Sequence, residues 1–173
     1  MAKTLIAYFS HAGENWVNGG IGTLKRGNNE VVVDKLRVLL PGTDVFRIEP
    51  AKRYPERYQA LIDVAKDELR AKARPALAAD VANPEQYSTI VLGYPNWWGT
   101  MPMCVFTFLE AHQWAGKTIA PFCTHEGSGF GSSLTDLKRA CPGANIAQGL
   151  SLYGSNVASA DKQIEGFIKT LTL

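Results

Sequence analysis

A chain of 173 residues, 46% hydrophobic and 20% charged, is long enough to bury one core without disulfides or metal, and it fits neither disorder nor a fibrous repeat. Its 18 Lys and Arg against 16 Asp and Glu leave a formal net charge of +2, without the clustered basic excess of a nucleic-acid binder. The cysteines Cys104, Cys123 and Cys141 form no CxxC pair, and the first apolar run, Leu5 to Phe9, is too short for a leader or a membrane span; the expectation is one cytoplasmic domain over residues 1–173, with buried thiols and neither nucleic-acid nor membrane partners.

Thr4 to Phe9 is continuously apolar, as in a strand of a parallel sheet covered on both faces. Residues 10–26 then turn to Gly, Asn, Ser and His as a long loop, and within it residues 14–26, which have no apolar periodicity, are expected to form a flap anchored by Trp16 and Val17. Asn28 and Asn29 are placed to cap a helix that has Glu30 in its first turn, carries Val32, Leu36, Leu39 and Leu40 on one face, and stops at Pro41-Gly42. Val45 to Ile48 reads as the second strand. After Pro55, the stripe Tyr58, Leu61, Ile62, Ala65 and Leu69 predicts a helix that ends before Pro75, and the cations Lys66, Arg70, Lys72 and Arg74 read as solvated.

Residues 75–87 read as an irregular connection, and Thr89 to Tyr94 as the third strand. Pro102 suits the first turn of a helix bearing Val105, Phe106 and Leu109. Thr118 to Cys123 is the fourth strand, although Pro121 within it removes a ladder donor. Ser133-Leu134-Thr135-Asp136 resembles a capping box, for a helix that ends at Cys141-Pro142-Gly143. Ile146 to Leu152 is the fifth strand, and Ile164, Phe167, Ile168 and Leu171 mark a last helix with Ser159 as its cap.

This alternation argues for an α/β fold, a parallel sheet with helices on both faces joined by right-handed crossovers. Ligands of such sheets bind at the carboxyl ends of the strands, which here carry loops 10–27, 94–101 and 124–132. The first offers hydroxyls, amides and a helix N-terminus suited to a phosphate, with neither a Walker lysine nor GxGxxG. In the second, Trp97 and Trp98 cannot both pack inward at a strand end, so one indole is expected to face a ligand. In the third, Gly127, Gly129 and Gly131 let backbone amides approach the edge of a flat heterocycle. His125 and Glu126 invite an acid/base role, but an exposed loop pair is the expectation there.

Tyr8-Phe9-Ser10-His11-Ala12-Gly13, Gly27-Asn28-Asn29-Glu30-Val31-Val32, the run Tyr94 to Pro102 and the loop Thr124-His125-Glu126-Gly127-Ser128-Gly129-Phe130-Gly131 together resemble the bacterial flavodoxin-like family, in order and over essentially the whole chain. The resemblance implies a three-layer flavodoxin-like fold of the short-chain type, with a five-stranded parallel sheet in order 2-1-3-4-5. It also implies one FMN, with Ser10, Gly13, Asn15, Asn28 and Asn29 as phosphate candidates. Pro95, Asn96, Trp97, Trp98, Gly99, Thr100 and Met101 would line the ring and ribityl chain, and Thr124, Glu126, Gly127, Ser128 and Gly129 the polar edge of the ring. Two features depart from the family pattern: residues 14–26 split the usual phosphate loop, and the strong acidity of electron-carrier flavodoxins is missing.

The leading expectation is an FMN oxidoreductase or electron carrier in which the flavin does the chemistry, with a redox partner protein or a small acceptor such as a quinone. A phosphoacceptor receiver domain needs carboxylates after the first strand, where this chain has Phe9-Ser10-His11. The alternative is a flavin-free flavodoxin-fold protein used for protein interaction.

Overall fold

A computed structural model describes residues 3–171, so residues 1, 2, 172 and 173 of the expected domain lie outside the described residues. Strand β1 (Lys3–Tyr8) is followed by a hairpin of β2 (Gly13–Val17) and β3 (Gly20–Leu24). Helix α1 (Asn28–Leu39), β4 (Asp44–Arg47), α2 (Tyr58–Ala71), β5 (Tyr87–Pro95), α3 (Met103–Glu110) and β6 (Thr118–His125) follow. Helix α4 (Ser133–Ala140), β7 (Asn145–Ile146), β8 (Leu150–Tyr153) and α5 (Asp161–Lys169) complete the chain.

The main sheet runs β4-β1-β5-β6-β7, with β8 also on β6, and every pairing in it is parallel. It differs in detail from the five-strand layout expected. The fifth strand is two short pieces, because Ala147 N–H still bonds to Ile119 O at 2.9 Å while Pro121, next along that edge of β6, has no N–H to return. Pairing resumes at Phe122 opposite Leu150.

Alternate side chains of the strands feed two cores. Leu5, Ala7, Ile90, Leu92 and Ile119 face α2, α3 and α4 through Leu61, Phe108 and Leu137. Ile6, Tyr8, Val91, Ala120 and Phe122 face α1 and α5 through Val32, Leu36, Ile164 and Phe167. A fully buried side chain such as Phe108 contributes about 1.5–3 kcal/mol by leaving water, so these residues hold the layers together. Cys104, Cys123 and Cys141 are free and buried, and burial pushes each thiol up to about 12, where a thiolate does not form.

Three expected side-chain caps do not form. Gly27, not an asparagine, is the N-cap of α1, and the Ser10 hydroxyl accepts the Glu30 N–H at 3.1 Å in place of a side-chain cap. Ser133 and Asp136 form no capping box. Ser133 is buried and donates to Phe130 O at 2.6 Å, and Asp136 accepts the Thr100 hydroxyl at 2.6 Å. Helix α5 starts after Ala160, because residues 154–159 form a 3₁₀ turn in which Ser159 donates to Asn156 O.

Candidate functional site

The segment expected as an irregular flap is a regular antiparallel hairpin, with Trp16 opposite Ile21 and a turn at Asn18-Gly19 whose φ angles are +49° and +84°. Asn-Gly is the dipeptide that tolerates two left-handed positions and matches strand twist, so its sequence signal was present. The hairpin packs on the start of α2. Glu14 N–H donates to Glu56 O at 2.8 Å, the Glu14 carboxylate accepts the Tyr58 N–H at 2.8 Å, and Trp16 lies on the Tyr58 ring at 6.0 Å.

Between the hairpin, α2 and the carboxyl ends of β5 and β6 lies a cleft of about 270 Å³. Asn15 and Trp16 line it from β2, Asn28 from the start of α1, and Tyr58, Leu61, Ile62 and Ala65 from α2. Pro95, Asn96, Trp97 and Trp98 supply another wall, and Thr124, His125 and Glu126 close the far side. Eight of the residues singled out from sequence therefore meet there: Asn15, Asn28, Pro95, Asn96, Trp97, Trp98, Thr124 and Glu126.

The two indoles divide their work. Trp97 packs edge-on against Phe9 at 5.1 Å and Tyr54 at 4.9 Å, at the border of the core. Trp98 is half exposed, and its φ of +53° is a left-handed position that costs an L residue roughly 1–2 kcal/mol. It is held there by its indole N–H, which donates to Ile62 O at 3.0 Å, and by Lys66 over its ring at 5.1 Å.

Asn96 ties the second loop to the third. Its Nδ2 donates to Gly129 O at 2.8 Å, its Oδ1 accepts the Gly99 N–H, and Ser132 N–H reaches Gly99 O at 2.7 Å. Thr100 points to Asp136 and Met101 is fully buried, so Gly99, Thr100 and Met101 frame the loop without lining the cleft. Ser10 stands behind α1 as its cap, while Gly13 accepts the Asn15 amide at 3.1 Å. Asn29 is buried, its Oδ1 accepting the Thr124 hydroxyl at 3.3 Å. Gly127, Ser128 and Gly129 sit in the third loop beyond the lining residues.

His125 and Glu126 are not an exposed pair. The Glu126 carboxylate accepts Ser155 N–H and hydroxyl at 2.6–2.7 Å and the Asn18 N–H of the hairpin turn at 3.3 Å. The His125 ring is engaged at both nitrogens, by Gly127 and Ser151, and burial lowers its pKa from 6.5. Neither group is free for acid/base work. His11 donates from Nε2 to Pro55 O at 2.9 Å, and burial lowers its pKa as well.

Tyr58, Leu61, Ile62 and Ala65 were legible only as a core stripe. Tyr58 and Ile62 add a second edge to that stripe, but which edge meets a cleft depends on where α2 packs. Helix α1 begins at Asn28, so the N–H groups of Asn28 and Asn29 have no intrahelical acceptor beside the cleft.

A family model described as Flavodoxin matches residues 3–169. The chain belongs to the flavodoxin family. A protein from Bacteroides eggerthii assigned to the flavoproteins is 29% identical, with 100% of this chain and 99% of that one covered and a TM-score of 0.78. A second, from Bacteroides uniformis, is 27% identical over 97% and 98% of the two chains, with a TM-score of 0.69. A flavoprotein from Lactobacillus acidophilus, solved in complex with FMN, is 18% identical over 91% and 97%, with a TM-score of 0.65, and shares the fold. Among curated proteins no match was found. No helix of this flavodoxin-family chain, among the described residues, is long and apolar enough to cross a membrane.

Proposed function

We propose that the cleft binds one FMN and that the protein uses it for electron transfer or for NAD(P)H-linked reduction of a small acceptor such as a quinone. The observation that carries this reading is the meeting, in one cleft, of a flat indole with the amide-bearing start of α1. A helix N-terminus with unpaired N–H groups favours a phosphate, and Trp98 lines the cleft with an indole against which a planar heterocycle would gain stacking energy. Membership of the flavodoxin family and the flavoprotein assignment of the Bacteroides relatives support it.

The residues fit the group. Asn28 and Asn29 would hold the phosphate through their N–H groups, and Ser10, Gly13 and Asn15 would shape the turn beside it. Trp97 and Trp98 would wall the ring, framed by Pro95, Asn96, Gly99, Thr100 and Met101. Thr124, Glu126, Gly127, Ser128 and Gly129 would form its polar edge. Gly154 suits a close approach here, since a Cβ on it would stand 2.3 Å from Asn28 Nδ2 and 2.9 Å from Glu126 Oε1. When bound, FMN supplies one- and two-electron chemistry, and the protein's part is to bind, orient and exclude water. Trp98 and the hairpin would cover the ring, and Glu126 joins the hairpin turn to the third loop.

The test is titration of the protein with FMN and with riboflavin, following flavin fluorescence. Quenching by FMN at lower concentration than by riboflavin is expected, and quenching by neither overturns the reading. NADH and NADPH oxidation by the loaded protein, with a quinone and with or without a separate flavodoxin reductase, then assigns the role. Direct turnover marks a reductase, and strict dependence on the added reductase marks a carrier.

A further inference from the structure

His125 is the last residue of β6, at the point where the sheet hands the chain to the third loop. Its ring is held from three sides. Nδ1 accepts the Gly127 N–H at 2.9 Å, Nε2 lies 2.8 Å from Ser151 Oγ, and Tyr153 packs on the ring at 4.7 Å between centroids. Since Nδ1 accepts, the neutral ring carries its proton on Nε2 and donates it to the Ser151 hydroxyl. Gly127 has a φ of +130°, and no atom lies within 4 Å of where its Cβ would stand. Local packing therefore does little to fix the direction of its N–H, and the imidazole nitrogen does it instead.

We propose that His125 is a positioning residue, holding the Glu126–Gly129 turn in its ligand-binding form only while its ring is neutral. Protonation converts Nδ1 from acceptor to donor, so the Gly127 N–H loses its partner and the turn beside the cleft is released. The ligand in this proposal rests on the flavin reading, whereas the geometry does not. Within its own loop the ring faces the Glu126 carboxylate, which is held on Ser155. From β8 it meets the Ser151 hydroxyl and the Tyr153 phenol, and no cation approaches it among these contacts. Burial disfavours the imidazolium more than Glu126 favours it, so the ring is neutral at pH 7 and the turn is released only below 6.5.

The experiment measures riboflavin affinity of the full chain between about pH 5.5 and 8, because a phosphate monoester such as FMN itself titrates at about pH 6. His125→Asn keeps an acceptor within reach of Gly127, and His125→Leu removes it. Wild-type affinity is expected to fall roughly fivefold to tenfold toward the acid end, the worth of one hydrogen bond. His125→Leu should sit at the weak value throughout, and His125→Asn should stay tight and flat. A wild type insensitive to acid, or a Leu variant with the same profile as wild type, overturns the proposal. The Gly127 amide resonance of the ligand-free protein is followed in parallel. It should move with the titration of His125, and an amide that stays fixed also overturns the proposal. Should wild type bind no flavin at all, the flavin reading fails while the amide still decides the role of His125.

Discussion

Gly27 is the N-cap of α1, folded back against the segment that follows β1, and a Cβ there would stand 2.1 Å from Ser10 Oγ and within 2.8 Å of the His11 backbone. Gly27→Ala therefore displaces the hydroxyl that accepts the Glu30 N–H, and a loss of about 1–3 kcal/mol in urea unfolding is expected. The adjacent indoles should separate cleanly. Trp97→Ala removes an aromatic packed on Phe9 and Tyr54 and should cost about 3 kcal/mol of stability, as large-to-small core changes do. Trp98→Ala should barely move the unfolding midpoint but weaken FMN binding roughly threefold to tenfold, the worth of one stacking contact. Asn28→Asp keeps size and adds a carboxylate at the cleft, so FMN affinity should fall about tenfold or more while riboflavin affinity hardly changes. Equal losses for the two ligands would place the phosphate elsewhere.

The hairpin forms a small sheet of its own. Among the described residues its strands pair only with each other and belong to neither core cluster, and it touches the rest through Glu14, Asn15, Trp16 and the turn at Asn18. Replacing residues 16–23 by a short Gly-Ser linker, with Glu14 left to accept the Tyr58 N–H, should give a protein whose far-ultraviolet circular dichroism and cooperative unfolding persist. Flavin dissociation from it should be faster, measured by dilution or competition. A molten, non-cooperative product would show that β2 and β3 support the sheet. The 3.6-residue stripe of α2 was plain in the sequence, but its division between core and cleft arises from packing: Leu61 and Ala65 are buried, while Tyr58 and Ile62 are only partly so.

At the scale of the whole molecule, two half-buried imidazoles tie stability to pH. Burial lowers the folded-state pKa of His11 and of His125 below 6.5, so the unfolded chain binds more protons than the folded one once pH drops past that value. Stability is complete above 6.5 and declines as pH falls toward the depressed folded values. Urea midpoints at about pH 8 and about pH 5.5 should show the loss, and the double substitution His11→Asn with His125→Asn should flatten much of it. An unchanged slope in that variant would place the acid sensitivity on carboxylates. The net charge of +2 gives no strong field to steer a basic redox partner, consistent with a small neutral acceptor.

The sequence by itself determined the alternation of strands and helices and which loops crowd the carboxyl edge. These follow from local periodicity and from residues such as Pro41, Gly42 and Pro102 that act on their own backbone. It also carried the Asn18-Gly19 turn signal, although a Gly-rich stretch without an apolar stripe hid the hairpin. Only the tertiary structure decided that Ser10 caps α1, that Glu14 serves α2, that Trp97 belongs to the core edge while Trp98 reaches the cleft, and that His125 meets Ser151. In each case a polar or aromatic group finds its partner many residues away or across a loop. Such partners are set by the packing of whole elements, because a buried donor or acceptor takes whichever complement the fold brings within hydrogen-bonding distance.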